Sequence, residues 1–501
     1  MINFGGCSMN IPKESKRAVE SLEPQALWNY FLEISCIPRE SGNERGIREY
    51  LVQFAKEHGI QAFVDKTGNV ILKTAASKGY EHYPSVALQG HMDMVCVKDP
   101  EIVHDFTKDP IILQRDGDWL KAKGTSLGAD NGIAIAMILH LFTDQRLTHG
   151  PLEAILTITE ETGLVGAFGL DPALVQSRLM INLDSEEEGV FYIGCAGGIE
   201  VDGKLPIEYA EIPQDYVPWE LTVHGLHGGH SGSEIDKQYA NAIECCARIL
   251  YHFSNDSSFM ISDINGGSKR NVIPSHCSAF VWIPKDKETH LKHKVEQILS
   301  ELKTEYSVSD PAISIRLQPS QGLQRKAASV NQSKILARTL YITPNGVDKM
   351  SMTMKGLVET STNLAIVRKE SGAFEFITSH RSSVQSSRDH IAAKTAAVFS
   401  TSGATAKISN GYPSWTPNPD SPLARRCSHA WKTFTGKEPV VTAIHAGLEC
   451  GIINSLIEGM DSVSLGPNLK NVHSTAEACA ISSTVRVVDF LEHLLASIGD
   501  Y

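Results

Sequence analysis

Three short apolar runs constrain this chain more than any other feature, because each delivers the same kind of residue. Residues 85–90 read Ser-Val-Ala-Leu-Gln-Gly and lead to His91 and Asp93. Residues 152–159 lead to Glu160 and Glu161, and residues 179–183 to Asp184. Runs this short, rich in β-branched and aliphatic side chains and followed by glycine or polar residues, predict buried strands. In an open α/β sheet, ligands bind beyond the carboxyl ends of the strands. A parallel or mixed sheet would therefore gather one histidine and four carboxylates along one edge.

Two more residues join by position. Asp130 lies in Gly128-Ala-Asp-Asn-Gly132 at the start of a helical run over 133–142, and the glycines let backbone come close to something there. His473 follows a strand predicted over 462–465. Singly, each residue has an ordinary explanation. His91 can be a histidine satisfied at a strand end, Asp130 an N-cap, Glu160-Glu161 a solvated acidic loop, and His473 a surface loop residue. All of them at once make a poor coincidence. Adjacent carboxylates repel unless their roles are divided, for example by a metal ion that takes one and leaves the other free as a base.

The chain is too long, at 501 residues, for one ordinary core. The predicted fold class is α/β, with a mixed-sheet catalytic domain interrupted by an inserted α+β domain. The texture changes after Gly194-Cys-Ala-Gly-Gly198 to longer alternating strands with helices, and this order repeats loosely. The division expected is 1–197 and 393–501 for the catalytic domain and 198–392 for an insert of two related halves, with hinges at 194–198 and 392–403. Helices are expected over 21–31, 43–58, 239–253, 291–302, 389–399, 422–434 and 448–457. Strands are expected over 61–65, 70–73, 219–223, 272–283, 362–368, 373–378, 406–410 and 439–444. Residues 1–16 read as a loose extension without a secretory h-region.

A net charge of −12 argues against a nucleic-acid or anionic-membrane partner and suits a protein that gathers carboxylates around cations. The ten cysteines are scattered, with no Cys-x-x-Cys, and read as reduced buried thiols of a cytoplasmic protein. No apolar run is long enough to span a membrane. Mixed imidazole and carboxylate donors suit zinc, manganese or cobalt. The acids are too many for one catalytic zinc, whereas two ions sharing a carboxylate would use them. Two Lewis acids, a bridging hydroxide and a base together give amide hydrolysis.

The motifs Gln-Gly-His91-Met-Asp93, Gly128-Ala-Asp130-Asn-Gly, Glu160-Glu161-Thr-Gly, Asn182-Leu-Asp184-Ser-Glu, Gly-Cys195-Ala-Gly-Gly and His227-Gly-Gly-His230-Ser-Gly occur in this order. Together they resemble the dinuclear-zinc peptidase family that includes carboxypeptidase G, aminoacylase and carnosinase, and within it the bacterial cytosolic dipeptidases. The resemblance implies two divalent ions, with zinc the default. Asp130 would bridge them, His91 and Asp184 would complete one site, and Glu161 and His473 the other. It implies Glu160 as general base toward the bridging water. Asp93 would clamp the His91 ring from behind. His230 would stabilise an oxyanion, Asn271 and Arg381 would hold a substrate carboxylate, and Gly447 would line the substrate cleft.

The insert would then act as a lid whose closure completes the site and excludes water. Read from the residues alone, His230 could be a plain loop residue, Arg381 a surface cation and Asn271 a turn residue before Pro274. The chain departs from the family at Thr475, where the pattern has proline, which leaves the loop after His473 less preset.

The implied function is hydrolysis of small dipeptides with free termini, by a monomer or a homodimer. Histidine in the second position is an expectation carried by the dipeptidase branch, and no residue displays it. An N-acyl amino acid deacylase or a carboxypeptidase would use the same scaffold. A metal-loaded binding protein would have no use for a base such as Glu160. A dinuclear phosphoesterase would want a phosphate cradle, and none stands near the motifs.

Overall fold

The protein's computed structural model describes residues 2–4, 7–9, 11–320 and 325–500. The chain forms two compact units. One holds residues 1–194, 417–443 and 448–501, and the other holds 195–416 and 444–447.

The first unit is built on an eight-stranded mixed sheet. Its centre is Val86–His91, flanked in parallel by Leu152–Thr157 and Leu179–Asn182. All six residues of Val86–His91 and of Leu152–Thr157 are buried, as expected of parallel strands covered on both faces. Register does the gathering: His91 stands opposite Thr157, and Gln89 opposite Asn182. The acids beyond these strands therefore leave the same edge. Asp461–Ser464 adds in parallel beside Leu179–Asn182 and pairs on its other side with Val190–Cys195. A strand from near the end of the chain thus sits inside the sheet, between two strands made much earlier.

Helices cover this sheet. Arg45–His58 buries Ile47, Tyr50, Leu51 and Phe54 along one stripe, and ends on Gly59 at φ +69°, a left-handed stop that glycine adopts without strain. Ala129–Thr143 is buried along nearly its whole length. Phe191, Trp431 and Phe490 pack together, with ring centroids 5.0 and 5.7 Å apart, and fix Pro422–Thr435 and the last helix, Ile481–Ser497.

The second unit is a nine-stranded antiparallel sheet covered by Ala242–Asp256, Glu288–Glu305, Val330–Ile342 and Gln385–Thr401. Its core includes Phe253, Phe259, Phe374, Phe376 and Phe399. One sheet runs through both expected halves.

Several expectations change. The second unit runs to 416, not 392. Residues 392–403 lie largely within the helix Gln385–Thr401, and Thr405–Ile408 pairs with Gly197–Pro206 of the second sheet rather than returning to the first. Phe399 anchors this segment in the second core, so 392–403 is not a hinge. The helix expected over 21–31 begins only at Gln25, after Pro24, and runs to Ile34, while a separate helix, Lys13–Val19, precedes it and starts within the segment expected to be loose. The strand expected over 272–283 starts only at Cys277, after Pro274, which has no N–H to give a ladder. The N-terminal segment is less loose than expected: Ile2–Phe4 pairs with Cys7–Met9 ahead of the first helix. Of the nine cysteines whose side chains are described, seven are buried and none forms a disulfide. No helix among the described residues is long and apolar enough to cross a membrane.

Candidate metal centre

His91 ends the central strand of the first unit and is almost completely enclosed. Its Nε2 lies 3.0 Å from Asp130 Oδ1 and 3.4 Å from Asp184 Oδ1. The second carboxylate oxygen of Asp130 lies 3.1 Å from His473 Nε2, which is also 3.0 Å from the Glu161 carboxylate. Asp130 therefore stands between two imidazoles, one oxygen toward each. It is not the cap of its helix: Gly128 holds that position in a left-handed conformation, and no side chain caps there from within the segment.

The donor sets fit two divalent ions. His91, Asp130 and Asp184 form one triad and Asp130, Glu161 and His473 a second, and within each the donor atoms lie within 4.8 Å of one another. Glu160 joins His91 and Glu161 in an overlapping group. The electrostatics match a place made for cations. Burial, helped by Asp130 and Glu161, pushes the Asp184 carboxyl up to about 7 against the pull of His91. Burial likewise drives Glu160 well above the usual carboxylate range, and Asp184, Glu449 and Glu161 add to the rise. Hydrogen bonds to the Asp130 and Glu161 carboxylates hold His473 up at about 11. A fourth triad, His140, Asp144 and Glu492, is a weaker candidate because Asp144 is clamped by Arg146, at 3.0 Å to Nε and 2.7 Å to Nη2.

Asp93 works behind this array. Its Oδ1 lies 3.4 Å from His91 Nδ1 and accepts the Glu160 backbone N–H over 3.0 Å. Its Oδ2 accepts from Ser41 Oγ at 2.7 Å and from the Glu161 N–H at 3.2 Å. Burial opposes the charge, yet these donors hold the carboxyl down at about 2.

Four supporting residues escaped the sequence reading. Arg39, buried, donates to the carbonyls of Met92 and Asp93 at 3.1 and 2.9 Å, and also to that of Gly128. Asn131 accepts the His91 N–H at 3.1 Å and donates to the Leu183 carbonyl at 3.0 Å, tying two of the strand ends to the start of the helix that carries Asp130. Glu477 accepts four backbone N–H groups, from Leu127, Gly128, Ala129 and Asp130. Glu449, enclosed, accepts from Gln89 and Thr157 at 2.5 and 2.6 Å. The only sequence cue was proximity: Glu477 shares a short loop with His473, and Asn131 adjoins Asp130.

The remaining expected site residues belong to the second unit. The His230 Nδ1 accepts the Ser233 N–H at 3.1 Å and the Gly232 N–H at 3.3 Å. The ring proton then sits on Nε2, which makes that atom a donor. Burial, with Arg381 nearby, lowers this imidazole's pKa and favours the neutral form. Arg381 and Asn271 line a cavity of about 280 Å³ together with Arg270, Ser379 and Tyr412. Arg381 Nη1 donates to the Tyr412 hydroxyl at 2.9 Å. A Cβ on Gly447 would lie 2.8 Å from the Tyr412 ring, and one on Gly198 only 2.4 Å, so two glycines make the slot for this tyrosine.

Comparisons with known proteins agree with this architecture. A family model described as "Peptidase family M20/M25/M40" matches residues 87–497. The chain is 38% identical over 481 residues to the cytosol non-specific dipeptidase of Escherichia coli (strain K12), spanning 96% of this chain and 99% of that one. It superposes on the crystal structure of aminoacylhistidine dipeptidase from Vibrio alginolyticus with a TM-score of 0.89 at 35% identity, over 96% of this chain and 98% of that one. An aminopeptidase from Bacillus cereus shares the fold with a TM-score of 0.56 at 16% identity.

Proposed function

This chain belongs to the peptidase family M20/M25/M40, and from that premise we propose that it is a cytoplasmic, metal-dependent dipeptidase acting on dipeptides with both termini free. The observation that carries the reading is Asp130, whose two oxygens face two imidazoles on either side while Glu160 stands beside both triads. It is supported by 38% identity, across nearly the whole chain, to a relative named as a dipeptidase.

In this reading His91 and Asp184 hold one ion, Glu161 and His473 the other, and Asp130 both. The ions, zinc by preference over manganese or cobalt, polarise a carbonyl and acidify water when bound. Glu160, raised above the usual carboxylate range by burial, takes a proton from the attacking water and returns it to the leaving amine. Asp93 fixes the His91 ring and the backbone from which Glu160 projects. In the second unit, the neutral His230 offers its Nε2–H to the developing oxyanion. Arg381, with Asn271, receives the substrate carboxylate, and its planar fork suits two oxygens.

The test is amino-acid release from a dipeptide panel with N-acetylated and C-amidated counterparts, using protein stripped of metal and reloaded with zinc, manganese or cobalt. Metal-dependent cleavage confined to the unblocked dipeptides is expected. Cleavage of the N-acetylated series would instead assign a deacylase or carboxypeptidase, and no cleavage under any metal would reject the reading.

A further inference from the structure

Glu477 is almost completely buried, yet its carboxylate is fully used. Oε2 accepts the N–H groups of Leu127 and Gly128 at 2.7 and 2.9 Å. Oε1 accepts those of Ala129 and Asp130 at 2.8 and 3.2 Å. Three of these, from Gly128, Ala129 and Asp130, are donors left open at the start of the helix Ala129–Thr143, and the fourth, from Leu127, comes from the residue before its cap. A side chain from the far end of the sequence fills the place an N-cap would take.

The other end of this carboxylate is the loop of His473. Leu469–Lys470 pairs with Ala478–Ala480, and the chain between them projects the imidazole. Asn471 and His473 have φ of +51° and +60°, left-handed values that cost free energy in residues other than glycine. Within the loop, Ser474 Oγ donates to the Asn471 carbonyl at 2.6 Å and accepts the Ala476 N–H at 3.2 Å, while the Glu477 N–H donates to the Ser474 carbonyl at 3.2 Å. These bonds shape the loop. The Glu477 carboxylate binds it to the segment that carries Asp130.

We propose that Glu477 is a positioning residue that locks the His473 loop to the Asp130 segment, so that the donor set of Asp130, Glu161 and His473 is preformed before an ion arrives. The inference rests on the metal reading above. It also gives the loop a source of rigidity that Thr475 does not supply. A charged carboxylate facing four N–H donors is well matched, whereas an amide would turn its own N–H₂ toward two of them.

The experiment uses the full chain with Glu477→Gln, stripped of metal and titrated with zinc against a chromophoric chelator, alongside thermal unfolding of the stripped protein. Wild type is expected to bind two zinc ions, and the variant to hold the weaker one ~10- to 100-fold less tightly, the range seen for outer partners of metal ligands. Activity should return when zinc is raised. Unchanged zinc affinity, with only a lower melting temperature of the stripped variant, would overturn the inference and leave a structural role. Wild type that binds no pair of zinc ions would overturn the metal reading and the inference with it. If the variant does not fold, hydrogen exchange on stripped wild type decides. Slow exchange at the amides of 127–130, shared with the 471–477 loop, supports the lock, and exchange as fast as in an open loop overturns it.

Discussion

Asp93 accepts the backbone N–H of Glu160 across 3.0 Å, so the carboxylate behind the His91 ring also fixes where Glu160 begins. One side chain thus orients a candidate ligand and the candidate base. Asp93→Asn would turn an N–H₂ toward donors that now meet oxygen. The expected result is a folded protein with ~10- to 100-fold lower activity or zinc affinity, measured as kcat and as zinc retained after dialysis.

Glu160→Gln separates metal binding from proton transfer. The triads of His91, Asp130 and Asp184 and of Asp130, Glu161 and His473 do not include this side chain. Zinc content should stay at the wild-type value while kcat falls ~10²- to 10⁴-fold, the usual worth of a general base. Retained turnover would remove Glu160 from that role.

Tyr412 is held between Gly198 and Gly447 and accepts from Arg381. Tyr412→Phe keeps the ring in its slot and deletes only the hydroxyl. One hydrogen bond to a charged group is lost, so KM for unblocked dipeptides should rise roughly 12- to 160-fold with kcat little changed. Steady-state kinetics on unblocked dipeptides, variant against wild type, checks both values.

Two histidines of the second unit give an acid-labile term. Burial alone holds His380 down at about 3. Burial, with Arg381 and His230 adding positive charge, holds His445 down at about 3 as well. Both values lie below the unfolded value of ~6.5. The unfolded chain therefore binds protons that the fold refuses, and stability that is full above pH ~6.5 is lost as pH falls toward 3. Each histidine contributes a slope of about 1.4 kcal/mol per pH unit in that window. Urea midpoints at pH 7, 6 and 5 should fall accordingly, and His380→Gln should flatten the slope by one proton.

The candidate ligands were legible because each carries its signal within a few residues: an apolar run, then an acid or a histidine. Parallel pairing of Val86–His91 with its two neighbours turned those local signals into one edge. The supporting residues were not legible, for a physical reason. Arg39 and Glu477 bind backbone carbonyl and N–H groups, which every residue type offers, and the Glu477 partners lie about 350 positions away. The boundary at 416 was hidden because Thr405–Ile408 looks the same in sequence whether it joins the first sheet or the second. Asp130 shows the converse. Its sequence fits an N-cap, but the cap role is taken by a distant carboxylate, which frees the side chain for the two imidazoles.

The strand Asp461–Ser464 lies between Leu179–Asn182 and Val190–Cys195. On the ribosome, those two earlier strands emerge long before the one that separates them. The second unit, nearly all of it within 195–416, can fold while the first still waits with an open gap in its sheet. The gap fills only once Asp461–Ser464 has been made, and His473 follows that strand by nine residues.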